Sequence, residues 1–219
     1  MKKKAPPARK QANPLIRGRK TARFVAKSRV PGVAPTIRRL RAELAEAKSR
    51  IAELQASAET DFLLDVLNRR GFARELTRAV SYISRYRASG ALVVLDVDRL
   101  KPINDAYGHA AGDEVLKAVV GVLRRQVRAS DSIGRLGGDE FALLLWNLSE
   151  ADACAKALQL EAAIDALRFS FGDGVVSAGA SAGIAVLGPD VSGEDALALA
   201  DRAMYVRKNH RRALFPPPT

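Results

Sequence analysis

The run Ser132-Ile133-Gly134-Arg135-Leu136-Gly137-Gly138-Asp139-Glu140-Phe141-Ala142-Leu143-Leu144-Leu145-Trp146 decides the fold. Ser132 to Leu136 and Phe141 to Trp146 are short runs of strand character, and Gly137-Gly138-Asp139 stands between them. Two such runs meeting at a glycine pair predict a β-hairpin. Glycine lacks a Cβ, so the turn can take torsions that other residues avoid and lets a phosphate approach the main chain. Asp139 and Glu140 place two carboxylates at that turn.

Working outward, Ala91-Leu92-Val93-Val94-Leu95 reads as a buried central strand that stops at Asp96 and Asp98. Ligands of α/β sheets bind beyond the carboxyl ends of strands. Helical patterns cover roughly 68–88, with Phe72, Leu76, Val80 and Ile83 on one face, then 113–128 and 150–167. A helical turn is expected near 101–106, strands at 175–178 and 180–186, and a last helix over 193–209. The fold class is α/β (α+β), a central mixed sheet flanked by helices. Carboxylates from two neighbouring strands form a hard-oxygen set suited to Mg²⁺, with Mn²⁺ as the alternative. Lys208 and Arg212, four apart on or just past the last helix, face the same way and can grip a triphosphate.

The chain has 219 residues, 47% of them apolar, and one cysteine, Cys154, so no internal disulfide can form. Its net charge of +12 is concentrated at the start. Residues 1–35 hold Lys2, Lys3, Lys4, Arg9, Lys10, Arg17, Arg19, Lys20, Arg23, Lys27 and Arg29 and no acidic residue, whereas 36–219 is nearly neutral. Such a tail can contact nucleic acid or an anionic membrane. With its prolines, the reading adopted is a solvated, disordered arm. From Pro35-Thr36 a helix is expected over 36–60, with Ile37, Leu40, Leu44, Ala47, Ile51, Leu54 and Ala58 forming a heptad seam. That seam predicts a coiled-coil dimerisation stalk preceding a domain at 61–215. No stretch has the apolar length of a membrane span and no secretory signal is read, so a cytoplasmic location is expected.

Over about residues 60–213 the chain resembles the GGDEF diguanylate cyclases. The matching runs are Asn68-Arg69-Arg70, Leu95-Asp96-Val97-Asp98-Arg99-Leu100-Lys101, Ile103-Asn104-Asp105-Ala106-Tyr107-Gly108-His109, Gly112-Asp113, Arg135 through Phe141, Ser181-Ala182-Gly183-Ile184-Ala185 and Ala200-Asp201-Arg202-Ala203-Met204-Tyr205. The resemblance implies a cytoplasmic homodimer that condenses two GTP into cyclic di-GMP. It implies that Asp96, Asp139 and the Val97 carbonyl bind Mg²⁺, and that Glu140 helps with the metal or deprotonates the attacking 3′-hydroxyl. Asn104 and Asp113 would read guanine. Gly137 and Gly138 would lie beside ribose and phosphates. Lys101, Lys208 and Arg212 would hold phosphates, with Lys208 counted among the catalytic groups. Arg128 and Asp131 would form a product-inhibition site. Four departures are visible: the family's Leu-Thr-Gly-Leu-Pro is Leu63-Leu64-Asp65-Val66-Leu67, its usual aromatic before the lysine is Leu100, its terminal Gly-Arg-Asn is Arg211-Arg212-Ala213, and Gln159 stands where members often add an Arg to the product site.

Overall fold

Nine consecutive residues, Gly90–Asp98 (β2), are buried up to the penultimate one, because this strand has hydrogen-bonded neighbours on both edges and helices on both faces. The structure is a computed structural model that describes residues 33–214 apart from 173. The basic segment read from the sequence lies, up to residue 32, outside the described residues.

The elements run α1 (Val33–Glu59), β1 (Leu67–Asn68), α2 (Arg69–Tyr86), β2, α3 (Leu100–Tyr107), α4 (His109–Gln126), β3 (Ser132–Arg135), β4 (Glu140–Trp146), α5 (Glu150–Asp165), β5 (Phe169–Phe171), β6 (Gly174–Val176), β7 (Gly179–Leu187) and α6 (Gly193–Leu214). Five strands form one mixed sheet in the order β1-β3-β4-β2-β7. β2 is antiparallel to β4 and β7, and β1 is parallel to β3. The β3–β4 hairpin is the one read from the sequence.

Alternation along β2 divides the core. Val93, Leu95 and Val97 pack in one cluster with Val115, Val119 and Leu160, from α4 and α5. Leu92 and Val94 pack in another with Phe72, Ile83, Ala196 and Met204, from α2 and α6. Asn68 caps α2, its side chain accepting from the Gly71 N–H at 3.0 Å.

Three details differ from the sequence reading. Helix α4 starts at His109, not near 113, and so takes Gly112 inside. A Cβ there would stand within clash distance of Asn104 Oδ1, so the glycine buys the close approach of α3 to α4. The expected strand at 175–178 is instead the second arm of a small β5–β6 hairpin, turned at Gly172 with φ +58°. Its Phe171 ring lies 5.4 Å from that of Tyr107. Helix α1 opens at Val33, which puts Pro35 in the first turn, where the missing N–H breaks no helical bond.

The chain divides into two units between Ala47 and Lys48, inside α1. In the first, Ile37, Leu40 and Leu44 are all exposed, and in the second so is Ile51. Among the described residues no helix is long and apolar enough to cross a membrane.

Candidate active site at the carboxyl end of the central strand

The register of β2 on β4 puts Asp96 opposite Glu140, and the Val97 N–H donates to the Asp139 carbonyl at 2.9 Å. Asp96, Asp139 and Glu140 therefore share one end of the sheet. The connecting turn is held from outside. Arg135 donates from Nε and Nη2 to the Gly138 carbonyl at 3.2 and 2.8 Å, and its Nη1 pairs with Asp61 at 3.1 Å. Asp61 in turn accepts from the Leu63 and Leu64 N–H groups at 3.0 Å each. The glycines do not serve as the sequence suggested, since neither Gly137 nor Gly138 has positive φ. The turn is open: a Cβ on Gly138 would meet only open space, and one on Gly137 would stand 3.3 Å from Glu140 Oε2. Arg69 holds the same Glu140 oxygen at 3.7 Å.

Asp96 is 6% exposed, and its Oδ1 lies 2.5 Å from Lys208 Nζ, brought in by α6. Burial pushes the Asp96 carboxyl above its ordinary value; Lys208 pulls it back, while Asp139 and Asp98 push it further up. A cavity of about 660 Å³ opens here, lined by Asp96, Glu140, Tyr205, Lys208 and Arg212. Among the described residues no three His, Cys, Asp or Glu side chains form a metal-holding group. The donors expected from the sequence are fewer: two carboxylates, Asp96 and Asp139, and the Val97 carbonyl. Mg²⁺ commonly keeps several waters and phosphate oxygens beside one or two carboxylates, so this set fits it. Asp139 and Asp98 repel the Asp96 charge, which a divalent cation would relieve.

Asn104 and Asp113 lie on α3 and α4, which approach closely at Gly112, and do not line that cavity. Asn104 Oδ1 is buried without a hydrogen-bond partner, an acceptor lacking its donor. Lys101 is exposed in the first turn of α3, which the chain enters through Arg99 in the left-handed region, φ 68°.

Arg128 and Asp131 are arranged differently. Asp131 Oδ2 accepts from the Arg128 main-chain N–H at 2.8 Å, and Oδ1 accepts from the Trp146 N–H at 3.1 Å. The carboxylate caps backbone and does not pair with the Arg128 side chain. Both residues, with Arg124 and Asp65, line a second cavity of about 430 Å³.

Several charged residues near the site went unassigned in the sequence. On α5, Glu161 is 3% exposed and receives Arg207 at 2.6–3.1 Å. Asp165 receives Arg211 Nη2 at 2.7 and 2.8 Å. Hydrogen bonding to Glu161 holds the Arg207 guanidinium above its ordinary value. For Arg211, burial works the other way but is outweighed by Asp165, Glu161 and Asp98. The available signal was a pair of matched i, i+4 spacings, Glu161/Asp165 and Arg207/Arg211.

Comparison with known proteins places the chain among named relatives. The chain is 42% identical over 165 residues to the diguanylate cyclase TpbB of Pseudomonas aeruginosa, covering 74% of this chain and 38% of that protein. It is 37% identical over 164 residues to the diguanylate cyclase DgcP of the same species, covering 75% of this chain and 24% of that one. The chain thus spans well under half the length of either relative. Among solved structures, the coiled coil and GGDEF domain of DgcB from Caulobacter crescentus in complex with c-di-GMP superposes with a TM-score of 0.71 at 25% identity, covering 81% of this chain and 95% of that one. The sequence model of the family described as "Diguanylate cyclase, GGDEF domain" matches residues 58–213, and the chain belongs to that family.

Proposed function

We propose that this protein is a diguanylate cyclase, joining two GTP molecules into cyclic di-GMP with release of two pyrophosphates. The observation that carries the reading is the convergence of Asp96, Glu140, Lys208 and Arg212 on one cavity, with Asp139 beside it.

Asp96, Asp139 and the Val97 carbonyl would hold Mg²⁺, or Mn²⁺ in its place, which neutralises triphosphate charge and acidifies a nearby hydroxyl. Lys208 and Arg212 hold phosphate oxygens, and Lys101 contributes a further cation. Lys208 already pairs with Asp96 and from there would hold a phosphate oxygen at the metal. Glu140, kept at the turn by Arg69, takes the proton of the 3′-hydroxyl. The new bond joins that oxygen to the partner's α-phosphorus, and the α–β anhydride bond breaks to release pyrophosphate. Gly137 and Gly138 leave the turn free of side chains, so ribose and phosphate can lie against the main chain. Asn104 Oδ1 and the Asp113 carboxylate accept from the guanine N1–H and amino group, a donor pair that adenine lacks.

Each domain binds one GTP, so the reaction needs two domains face to face. The stalk, residues 36–60, supplies that dimer through the seam whose Ile37, Leu40 and Leu44 are exposed in the single chain. Residues 61–215 form the catalytic domain, and the enzyme works in the cytoplasm. Arg128 and Asp131 take up product and slow the reaction. The basic tail has no part in this chemistry.

The test is stoichiometric. With GTP and Mg²⁺ the full chain should release two pyrophosphates per cyclic dinucleotide, and ATP should not substitute. GTP turnover to GDP and phosphate would refute the reading. Leu40→Asp together with Leu44→Asp in the full chain should give monomers by sedimentation and lose activity at nanomolar concentration; a persistent dimer would remove the stalk from the account.

A further inference from the structure

Helix α6 carries Lys208 into the site, yet its apolar anchoring ends early. Ala196, Ala200 and Met204 are buried, and among the described residues none after Met204 is. Lys208 begins the next turn. From there the helix is held by charge. Arg207 is bound to Glu161 on α5, with Nη2 at 2.6 Å from Oε2. Arg211 reaches three carboxylates: Asp165 at 2.7 Å, Asp98 at 3.4 Å and Glu161 at 3.7 Å.

Those carboxylates are themselves fixed by three successive residues of β7. The Ala180 N–H donates to Asp165 Oδ1 at 3.3 Å, Ser181 Oγ donates to Asp98 Oδ2 at 3.0 Å, and the Ala182 N–H donates to Glu161 Oε1 at 2.9 Å. Asp98 lies two residues beyond Asp96 on β2. The cluster thus ties α5, β7, β2 and α6 together around the turn that holds Lys208. Arg207 and Arg211, four apart, share the helix face turned to the domain, and Lys208 lies between them in sequence.

We propose that Arg211, braced by Asp165, Asp98 and Glu161, is a positioning residue that sets the last turns of α6 so that Lys208 Nζ meets Asp96 at the cavity. It touches no reacting atom and acts through Lys208. The inference rests on the cyclase reading, in which Lys208 serves the triphosphate.

A double-mutant cycle on the full chain tests it, with pyrophosphate release from GTP and Mg²⁺ as the readout and thermal unfolding of every variant alongside. Arg211→Ala should lower turnover by about tenfold in the parent chain and by less than about twofold in a Lys208→Ala background, the coupling expected of residues that act as a unit. Asp165→Asn, which removes one brace at a half-buried position, should show the same coupling at about threefold and serves if Arg211→Ala does not fold. Arg211→Lys keeps the charge but loses the two-oxygen grip on Asp165, and should recover only part of the rate. Equal losses in both backgrounds would mean that the clamp merely stabilises the fold, and no loss in either would mean that it does nothing for Lys208; both overturn the proposal. A parent chain that releases no pyrophosphate would bring down the cyclase reading, and this inference with it, whereas an active parent with additive losses brings down this inference alone.

Discussion

The sheet end at Asp96 and the turn at Asp131 both present a carboxylate beside an Arg or Lys, but they spend it differently. At the first, one Asp96 oxygen meets Lys208, and Asp139 and Asp98 crowd the same charge next to an open cavity. At the second, both Asp131 oxygens are already filled by main-chain N–H groups. A carboxylate whose two oxygens each already hold a backbone N–H helps build the scaffold even where it also lines a cavity. One that is buried among like charges is poised for a cation. The difference teaches that site and scaffold are told apart by what the oxygens already accept, not by residue type.

The contrast breaks most sharply at Asp139. Asp139→Ala should cut cyclic di-GMP formation by at least about a hundredfold with the fold intact, since the donor set has only two carboxylates. Near-normal product at ordinary Mg²⁺ would show that the metal sits elsewhere. A smaller effect is expected where the base is read. Asp113→Ala should erode discrimination of GTP over ATP by about 1–3 kcal/mol, the cost of leaving a buried donor pair without its acceptor. Competition binding with the two nucleotides measures it, and an unchanged ratio would reassign guanine reading.

Asp131→Ala should act on stability, lowering the free energy of unfolding by about 1–2 kcal/mol as two backbone donors lose their acceptor. Arg128→Ala, exposed, should change stability by less than about 0.5 kcal/mol and weaken binding of cyclic di-GMP by calorimetry. If the two variants destabilise equally, the contrast drawn here is wrong. The smallest effect concerns Mg²⁺ without nucleotide. At tenfold over its dissociation constant it should add about 1.4 kcal/mol to stability, and Asp139→Asn should remove that gain. A gain that survives the substitution would point to a different cation site.

Much of this was legible in the sequence because it is local. The Ala91–Leu95 run, the hairpin around Gly137-Gly138 and the carboxylates at their ends are short patterns whose meaning depends on near neighbours, and the structure keeps them. The β5–β6 hairpin was misplaced because three-residue arms carry no periodicity to read. The early start of α4 was missed because a glycine in a helix is unfavourable locally, and only the approach of Asn104 explains it. The Arg207 and Arg211 clamp was hidden because its partners are 46 residues away in the chain. The torsional role first given to Gly137 and Gly138 was wrong for a similar reason: the turn is held by Arg135 and Asp61, and the latter lies 74 residues from Arg135.

The central claim is that two GTP molecules are joined to each other. Incubating the full chain with Mg²⁺ and an equal mixture of unlabelled and uniformly isotope-labelled GTP, then taking the mass spectrum of the product, tests this most directly. The account predicts cyclic di-GMP in a one-to-two-to-one pattern of unlabelled, half-labelled and fully labelled species. GTP recovered intact, or product that never combines the two labels, would contradict it.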